Sequence, residues 1–295
     1  MGNSLEGKVA IVTGAGRGLG RSEAIAMAKE GARVVIADIE PAKKYIDEAI
    51  DIIKADGGEA IGAICDVGNY NDAKSAISKA INTWGELNIV MCNAGVLRDK
   101  MLFNMTEEEW DTVIRVHLKG HFNFVNQAAA YWRALSKEKG GPVYGRLIST
   151  ASEAFLYSPP GQPNYAAAKA GITALAMSAA QACIRFGVTS NVILPRARTD
   201  MTKAVFAPQE GTGWDEMDVN NVSPLVAYLA SPMAAKISGY VFIVFGKMVQ
   251  VVDAPVLGKK FENERPWTVE DLDAKLSIHF QKLTPIQDGF MVMPS

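Results

Sequence analysis

Lys8-Val-Ala-Ile-Val-Thr13, followed without a break by Gly14-Ala-Gly-Arg-Gly18-Leu-Gly20, decides how this chain folds. The first run is apolar, β-branched and too short for a helix, so it reads as a buried strand. The glycines behind it let the backbone turn sharply and approach a ligand closely. Ser22 to Lys29 then reads as a helix and Arg33-Val-Val-Ile-Ala-Asp38 as a second strand. In this order of strand, glycine turn, helix and strand, the N–H groups at the helix start point at a pyrophosphate. An acidic residue about 20 positions on meets ribose hydroxyls. Asp38 occupies that place.

Outward from this unit, runs rich in Val and Ile recur at 8–13, 33–38, 60–64, 88–92, 145–149, 189–194 and 240–245, separated by stretches of helical periodicity. Ala73, Ile77, Ile81 and Trp84 repeat at helical spacing, and Thr106-Glu-Glu-Glu109 is a capping box opening a long helix to about Leu135. The alternation predicts an α/β fold, a doubly wound, mostly parallel sheet of about seven strands with helices on both faces. In such a sheet the ligand sits beyond the carboxyl ends of the strands where their order reverses, so the loops after Thr13, Asp38, Ile64, Cys92, Thr150 and Leu194 are expected to converge.

Tyr165 and Lys169 lie four residues apart in Asn-Tyr-Ala-Ala-Ala-Lys, a spacing that stacks them on one helix face. Opposite charges about 4 Å apart at an effective dielectric near 20 attract by roughly 4 kcal/mol, enough to bring a phenol toward working pH as a base. Asn93-Ala-Gly95 follows the strand ending at Cys92, and Ser152 stands thirteen residues before Tyr165.

The Thr-Gly-x-x-x-Gly-x-Gly turn, Asn93-Ala-Gly95, Ser152 and the Tyr165/Lys169 pair, in this order and spacing, resemble the short-chain dehydrogenase/reductase family over residues 6 to about 246. Asn93-Ala-Gly-Val-Leu-Arg-Asp-Lys100, Arg115-Val-His-Leu-Lys-Gly120 and Gly161-Gln-Pro-Asn-Tyr165 are most similar to the hydroxyacyl-CoA dehydrogenase domain of peroxisomal multifunctional enzymes and to bacterial 3-oxoacyl reductases. The resemblance implies a Rossmann-type fold and interconversion of a secondary alcohol and a ketone with a nicotinamide cofactor. It assigns Ser152 to the substrate oxygen, Tyr165 to proton transfer, and Lys169 to the cofactor ribose and the phenol pKa. It implies a cofactor site built from Gly14, Arg17, Gly18, Leu19, Gly20, Asp38, Asp66, Val67, Asn93, Ala94, Gly95, Tyr165, Lys169, Pro195 and Thr199. Asp38 favours NAD, because a carboxylate repels a 2′-phosphate, whereas Arg17 in the turn could reach that phosphate in NADP.

The chain departs from the family pattern in places. His117 stands where many members have an Asn that helps connect the lysine to solvent, and an imidazole can relay protons. With His121 it forms an i, i+4 pair, but no Glu lies between them and no third ligand is evident, so no metal is expected. Arg196 replaces the Gly that often follows Pro195; Arg196 and Arg198 read as solvated loop charges or as contacts to an anionic carrier. Residues 197–222, with Val205, Phe206, Trp214 and Met217 among Gly and Pro, suit a lid over an apolar substrate.

Over 295 residues, 48% apolar, 21% charged and with a net charge of −2, the composition supports one sizeable core and no basic stripe for nucleic acid. The start lacks a signal pattern and the longest apolar run, 172–184, is broken by Thr173, Ser178 and Gln181, so no membrane span is expected and the protein is placed in the cytoplasm. Three widely spaced cysteines suit neither disulfides nor zinc. Residues 1–246 are expected to form the dehydrogenase core and 247–295 an extension, with a capped helix from Thr268 to about Gln281, packed on the core or an interface. The resemblance implies a homodimer or homotetramer paired through helix 166–182 and the helix from Glu107. The leading substrate is a 3-hydroxyacyl thioester; a steroid or other bulky secondary alcohol is the alternative, and a dinucleotide-binding sensor or scaffold without turnover is the non-enzymatic one.

Overall fold

The computed structural model describes residues 3–203 and 213–290. Eight strands form one sheet in the order β3-β2-β1-β4-β5-β6-β7-β8: β1 (Val9–Thr13), β2 (Arg33–Asp38), β3 (Ala60–Ile64), β4 (Ile89–Cys92), β5 (Gly145–Thr150), β6 (Val188–Pro195), β7 (Val241–Phe245) and β8 (Met248–Val252). The first seven run parallel and match the predicted strands to within one or two residues; β8 was not predicted and pairs antiparallel with β7. The hairpin turns at Gly246, whose φ of 54° lies in the left-handed region. The sheet therefore continues past residue 246, where the core was expected to end.

Helices α1 (Gly18–Lys29), α2 (Lys43–Ala55) and α3 (Tyr70–Trp84) cross between the first strands. Side chains alternate across the sheet: Ala10 and Val12 join Met27, Ile46 and Leu229 in one core, whereas Val9 and Ile11 join Ile77, Phe124 and Trp132 in the other. Each large side chain so buried contributes roughly 1.5–3 kcal/mol, which commits both faces of the sheet to helices.

The helix predicted from Glu107 to about Leu135 forms and runs on to Lys139, with a π-turn inside it. The Thr106–Glu109 capping box opens α4 (Glu107–Ile114), a π-turn follows over Arg115–Lys119, and α5 (Gly120–Lys139) completes the run. His117 lies in the π-turn, a rare geometry that concentrates at functional sites. One turn of helix, α6 (Ala154–Tyr157), leads to α7 (Pro163–Cys183), and α8 (Ser223–Ala230) precedes β7. Contrary to the expectation of no span-length segment, Pro163–Phe186 is long and apolar enough to cross a membrane by length and composition. Its alanine-rich stretch simply extends further back than the run from Ile172. In the fold it is a core helix, packed on β5 and β6 with Asn164, Lys169 and Ile172 buried.

Beyond β8, helix α9 (Val269–Phe280) opens on a Thr268–Asp271 capping box and carries no buried residue. Of the expected lid, residues 204–212, with Val205 and Phe206, lie outside the described residues.

Candidate active site

The six loops expected to converge enclose a cavity of about 550 Å³ beyond the carboxyl ends of β1 to β6, where the order reverses between β1 and β4. Gly14, Arg17, Gly18, Leu19, Asp38, Asp66, Val67, Asn93, Ala94, Gly95, His117, Tyr165, Lys169, Pro195 and Thr199 all line it. Gly20 and Ser152 are not in its wall. A Cβ on Gly20 would fall 2.4 Å from the Gly14 carbonyl oxygen and 2.7 Å from Asn93 Nδ2, so this glycine lets α1 pack against the loops behind the cavity.

At one end the wall is mostly backbone. Gly14 has φ 65°, and a Cβ there would meet Ala94 Cα at 2.8 Å. Helix α1 starts with no capping side chain and no acid in its first turn while its first residues face the cavity, which leaves N–H donors and a positive dipole end for an anion. Asp38 is held by the N–H groups of Gly16 (2.9 Å) and Ile39 (2.8 Å). This cradle fits the pyrophosphate and adenosine ribose of a nicotinamide dinucleotide. Arg17 stacks on the Tyr45 ring at 4.7 Å and pairs with Asp200 at 3.2 Å across the opening.

Strand-end threonines, not singled out in the sequence, hold the loops. Thr13 Oγ1 accepts from the N–H groups of Asn93 (2.9 Å) and Ala94 (3.2 Å), and the Thr150 carbonyl accepts from Lys169 Nζ at 2.7 Å. Asn164 was quoted only as part of a motif, yet it is fully buried; its amide donates to the Arg98 and Glu109 carbonyls and its Oδ1 accepts from Tyr165 N–H, fixing the start of α7. Position beside a motif is the signal that could have found all three.

At the other end the wall is made of side chains, Tyr165 half-buried and Lys169 and His117 buried, with Ser152 just behind it. Ser152 Oγ caps the turn of α6 by accepting from Ala154 N–H at 3.2 Å and lies near enough to the Tyr165 phenol to lower its pKa. Burial pushes that phenol up to about 12, against the lowering exerted by Ser152. Burial likewise pulls Lys169 down to about 7. The expected drop of the phenol toward neutrality is thus reversed among the protein's own groups. Lys169 Nζ sits 5.3 Å from the Tyr165 ring centroid and is held by Thr150, and the desolvation of the two groups outweighs their mutual attraction. His117 stands edge-on to Tyr165 at 5.2 Å. Its Nε2 lies 2.7 Å from the Val96 carbonyl oxygen, and its Nδ1 is buried without a partner among the described protein groups. A Cβ on Gly95 would come within 2.4 Å of the ring, so Gly95 makes room for the histidine. Burial, then the charge of Lys169, hold His117 well below the usual imidazole range. Cys92 is buried and pushed up to about 12, an inert thiol.

Arg196 and Arg198 are partly exposed, but each is engaged by an acidic side chain of the chain itself. Arg196 makes a bidentate pair with Glu153, and Arg198 pairs with Asp215. Spacing could not foresee partners 43 and 17 residues away.

The family model described as short chain dehydrogenase matches residues 8–210, and the chain belongs to that family. It is 48% identical to the hydroxyacyl-CoA dehydrogenase ChsB1 of Mycobacterium tuberculosis over 96% of this chain and 92% of that protein. It is 40% identical to the peroxisomal hydratase-dehydrogenase-epimerase of Saccharomyces cerevisiae over 80% of this chain but only 25% of that larger protein. The structure of a short chain dehydrogenase from Mycobacterium avium superposes with a TM-score of 0.85 at 40% identity, covering 96% of this chain and 97% of the other. The protein is therefore an oxidoreductase that acts on a CH–OH group of a small molecule with a nicotinamide cofactor.

Proposed function

We propose that this short-chain dehydrogenase interconverts a 3-hydroxyacyl thioester and its 3-oxo form using NAD(H). The substrate class rests on the names of its relatives, and the chemistry on one observation: the Tyr165 phenol, under the influence of Ser152 and beside Lys169, in the wall of the dinucleotide cavity. Ser152 holds the substrate oxygen. In reduction the Tyr165 O–H gives its proton to that oxygen; in oxidation the phenolate takes it back. Lys169 has donors to spare beyond its bond to Thr150 and would hold the ribose, bringing its charge to bear on the phenolate. His117 relays protons between this cluster and solvent. The nicotinamide, when bound, supplies the hydride transfer.

Asp38 selects NAD over NADP, since its carboxylate sits where a 2′-phosphate would be repelled, and Arg17 is already engaged by Asp200 and Tyr45. Copies pair about two-fold axes through α5 and α7, with residues 253–290 as an interface extension, in a dimer or tetramer. The described part of 197–222 serves as the root of a lid. Three free thiols suit the reducing cytoplasm. Purified protein with NAD or NADP and a panel of 3-hydroxyacyl-CoA esters and sterols, read at the nicotinamide absorbance, tests the reading. Turnover of the thioesters with NAD is expected; turnover of sterols alone would replace the substrate class, and preference for NADP would overturn the role of Asp38.

A further inference from the structure

The residue after Ser152 and the residue after Pro195 meet beside the reaction end of the cavity, outside its wall. Glu153 Oε2 accepts from Arg196 Nε at 2.5 Å, and Oε1 accepts from Arg196 Nη2 at 2.7 Å and from the Tyr157 hydroxyl at 2.6 Å. The carboxylate side chain is 9% exposed, and the guanidinium lies over the Phe245 ring at 4.6 Å. Burial alone would raise the Glu153 pKa, but the bonds from Arg196 and Tyr157 win and hold it below the usual carboxylate range, so the pair is ionised. A bidentate pair with a buried carboxylate and a stacked, one-third exposed guanidinium is more restricted in geometry than a fully exposed ion pair.

What this pair joins gives it a role. On one side, Glu153 belongs to the turn that Ser152 opens and is followed by the helix turn whose N–H groups return to Ser152 and Glu153. On the other, Arg196 follows Pro195 at the end of β6, its N–H bonded to the Val244 carbonyl at 3.1 Å, and leads into Ala197 and Thr199 in the cavity wall. Pro195 and Thr199 are the sequence-predicted contacts to the nicotinamide end of the cofactor, and Ser152 the predicted contact to substrate oxygen.

We propose that the Glu153–Arg196 pair is a positioning clamp that sets the spacing between the Ser152 hydroxyl and the cofactor wall at Pro195–Thr199, and so the distance over which hydride passes. Glu153 and Arg196 touch neither reacting atom; they act through Ser152 and the strand end. The clamp rests on the function proposed above. It also explains why an arginine replaces glycine after Pro195 without creating an anion site.

The test uses the full-length protein, NAD and racemic 3-hydroxydecanoyl-CoA with protium or deuterium at C3. Glu153→Gln and Arg196→Gln are each expected to lower kcat by about tenfold to a hundredfold, the scale of a sub-ångström to 1 Å misplacement, with the KM for NAD within about twofold. The deuterium effect on kcat should rise in both, because hydride transfer becomes the slow step. The double variant should lose no more than the worse single, as expected for partners in one contact. Arg196→Lys should recover part of kcat. Where a single variant fails to bind NAD, the charge-exchanged protein carrying Glu153→Arg and Arg196→Glu decides: recovery supports the clamp. Unchanged kcat and isotope effect, losses that multiply in the double variant, or no recovery on charge exchange would overturn it. Ser152→Ala is run alongside. Its inactivity with fully active clamp variants sinks the clamp alone; its full activity would overturn the role of Ser152 and the clamp with it.

Discussion

The two ends of the cavity recognise their ligands by different means. The glycine end is backbone: Gly14, the free start of α1, and a carboxylate, Asp38, held by N–H groups. The reaction end is a cluster of ionisable side chains, the half-buried Tyr165 with the buried Lys169 and His117. Backbone recognition tolerates no added Cβ but is little affected by its electrostatic surroundings. Side-chain chemistry is governed by desolvation, which reverses the pKa that a simple charge pair implies.

Tyr165→Phe should break the contrast most deeply. Loss of the hydroxyl proposed to transfer the proton is expected to cut kcat by about 10²–10⁴-fold while NAD binding, followed by fluorescence titration, stays near wild type. Parallel loss of NAD binding would show the two ends are not separable.

Glu23 tests whether desolvation rules in the glycine half as well. It is fully buried in α1, both oxygens lack a partner among the described protein groups, and burial raises its pKa from 4.5 to about 8. The folded protein then keeps a proton that the unfolded chain loses, so stability falls as pH rises from about 4.5 to 8. Glu23→Gln should remove this slope, which is at most about 1.4 kcal/mol per pH unit, in urea unfolding at pH 5 and pH 8. An unchanged slope would show that Glu23 ionises freely in the fold.

Gly20→Ala sharpens the backbone side. The new Cβ has no room beside Gly14, and overpacking is expected to cost about 1–3 kcal/mol in urea unfolding and to weaken NAD binding, with Tyr165 chemistry intact at saturating NAD. Asp38→Asn should give the smallest effect, narrowing the NAD over NADP ratio of kcat/KM by about tenfold, roughly 1.4 kcal/mol, as a charge repulsion is relieved.

Most of the frame was legible because its signals are local. The strands at 33–38 and 60–64 appear where the Val and Ile runs stand, and the Thr106 and Thr268 capping boxes form as their spacing predicts. The loops after Thr13, Asp38, Ile64, Cys92, Thr150 and Leu194 do converge, and Tyr165 in α7 joins them in the cavity wall. Strand β8 was missed although Met248-Val-Gln-Val-Val252 is rich in valine; the two-residue turn Gly246-Lys247 before it was the hairpin signal left unread. The π-turn at Arg115–Lys119 was missed because its residues keep a helical pattern while one extra residue enters the turn.

Residue types and their spacing along the chain were enough to foresee the doubly wound sheet, the glycine turn at the cavity and the meeting of Tyr165 with Lys169 there, because hydrophobic period, glycine turns and helix pitch act over a few residues. Folding settled the rest: the raised phenol, the lowered lysine, the histidine fitted against Gly95, and the engagement of Arg196 by Glu153. Those features depend on how far each charge is removed from water and on which distant side chain packs beside it, and neither is encoded in local order.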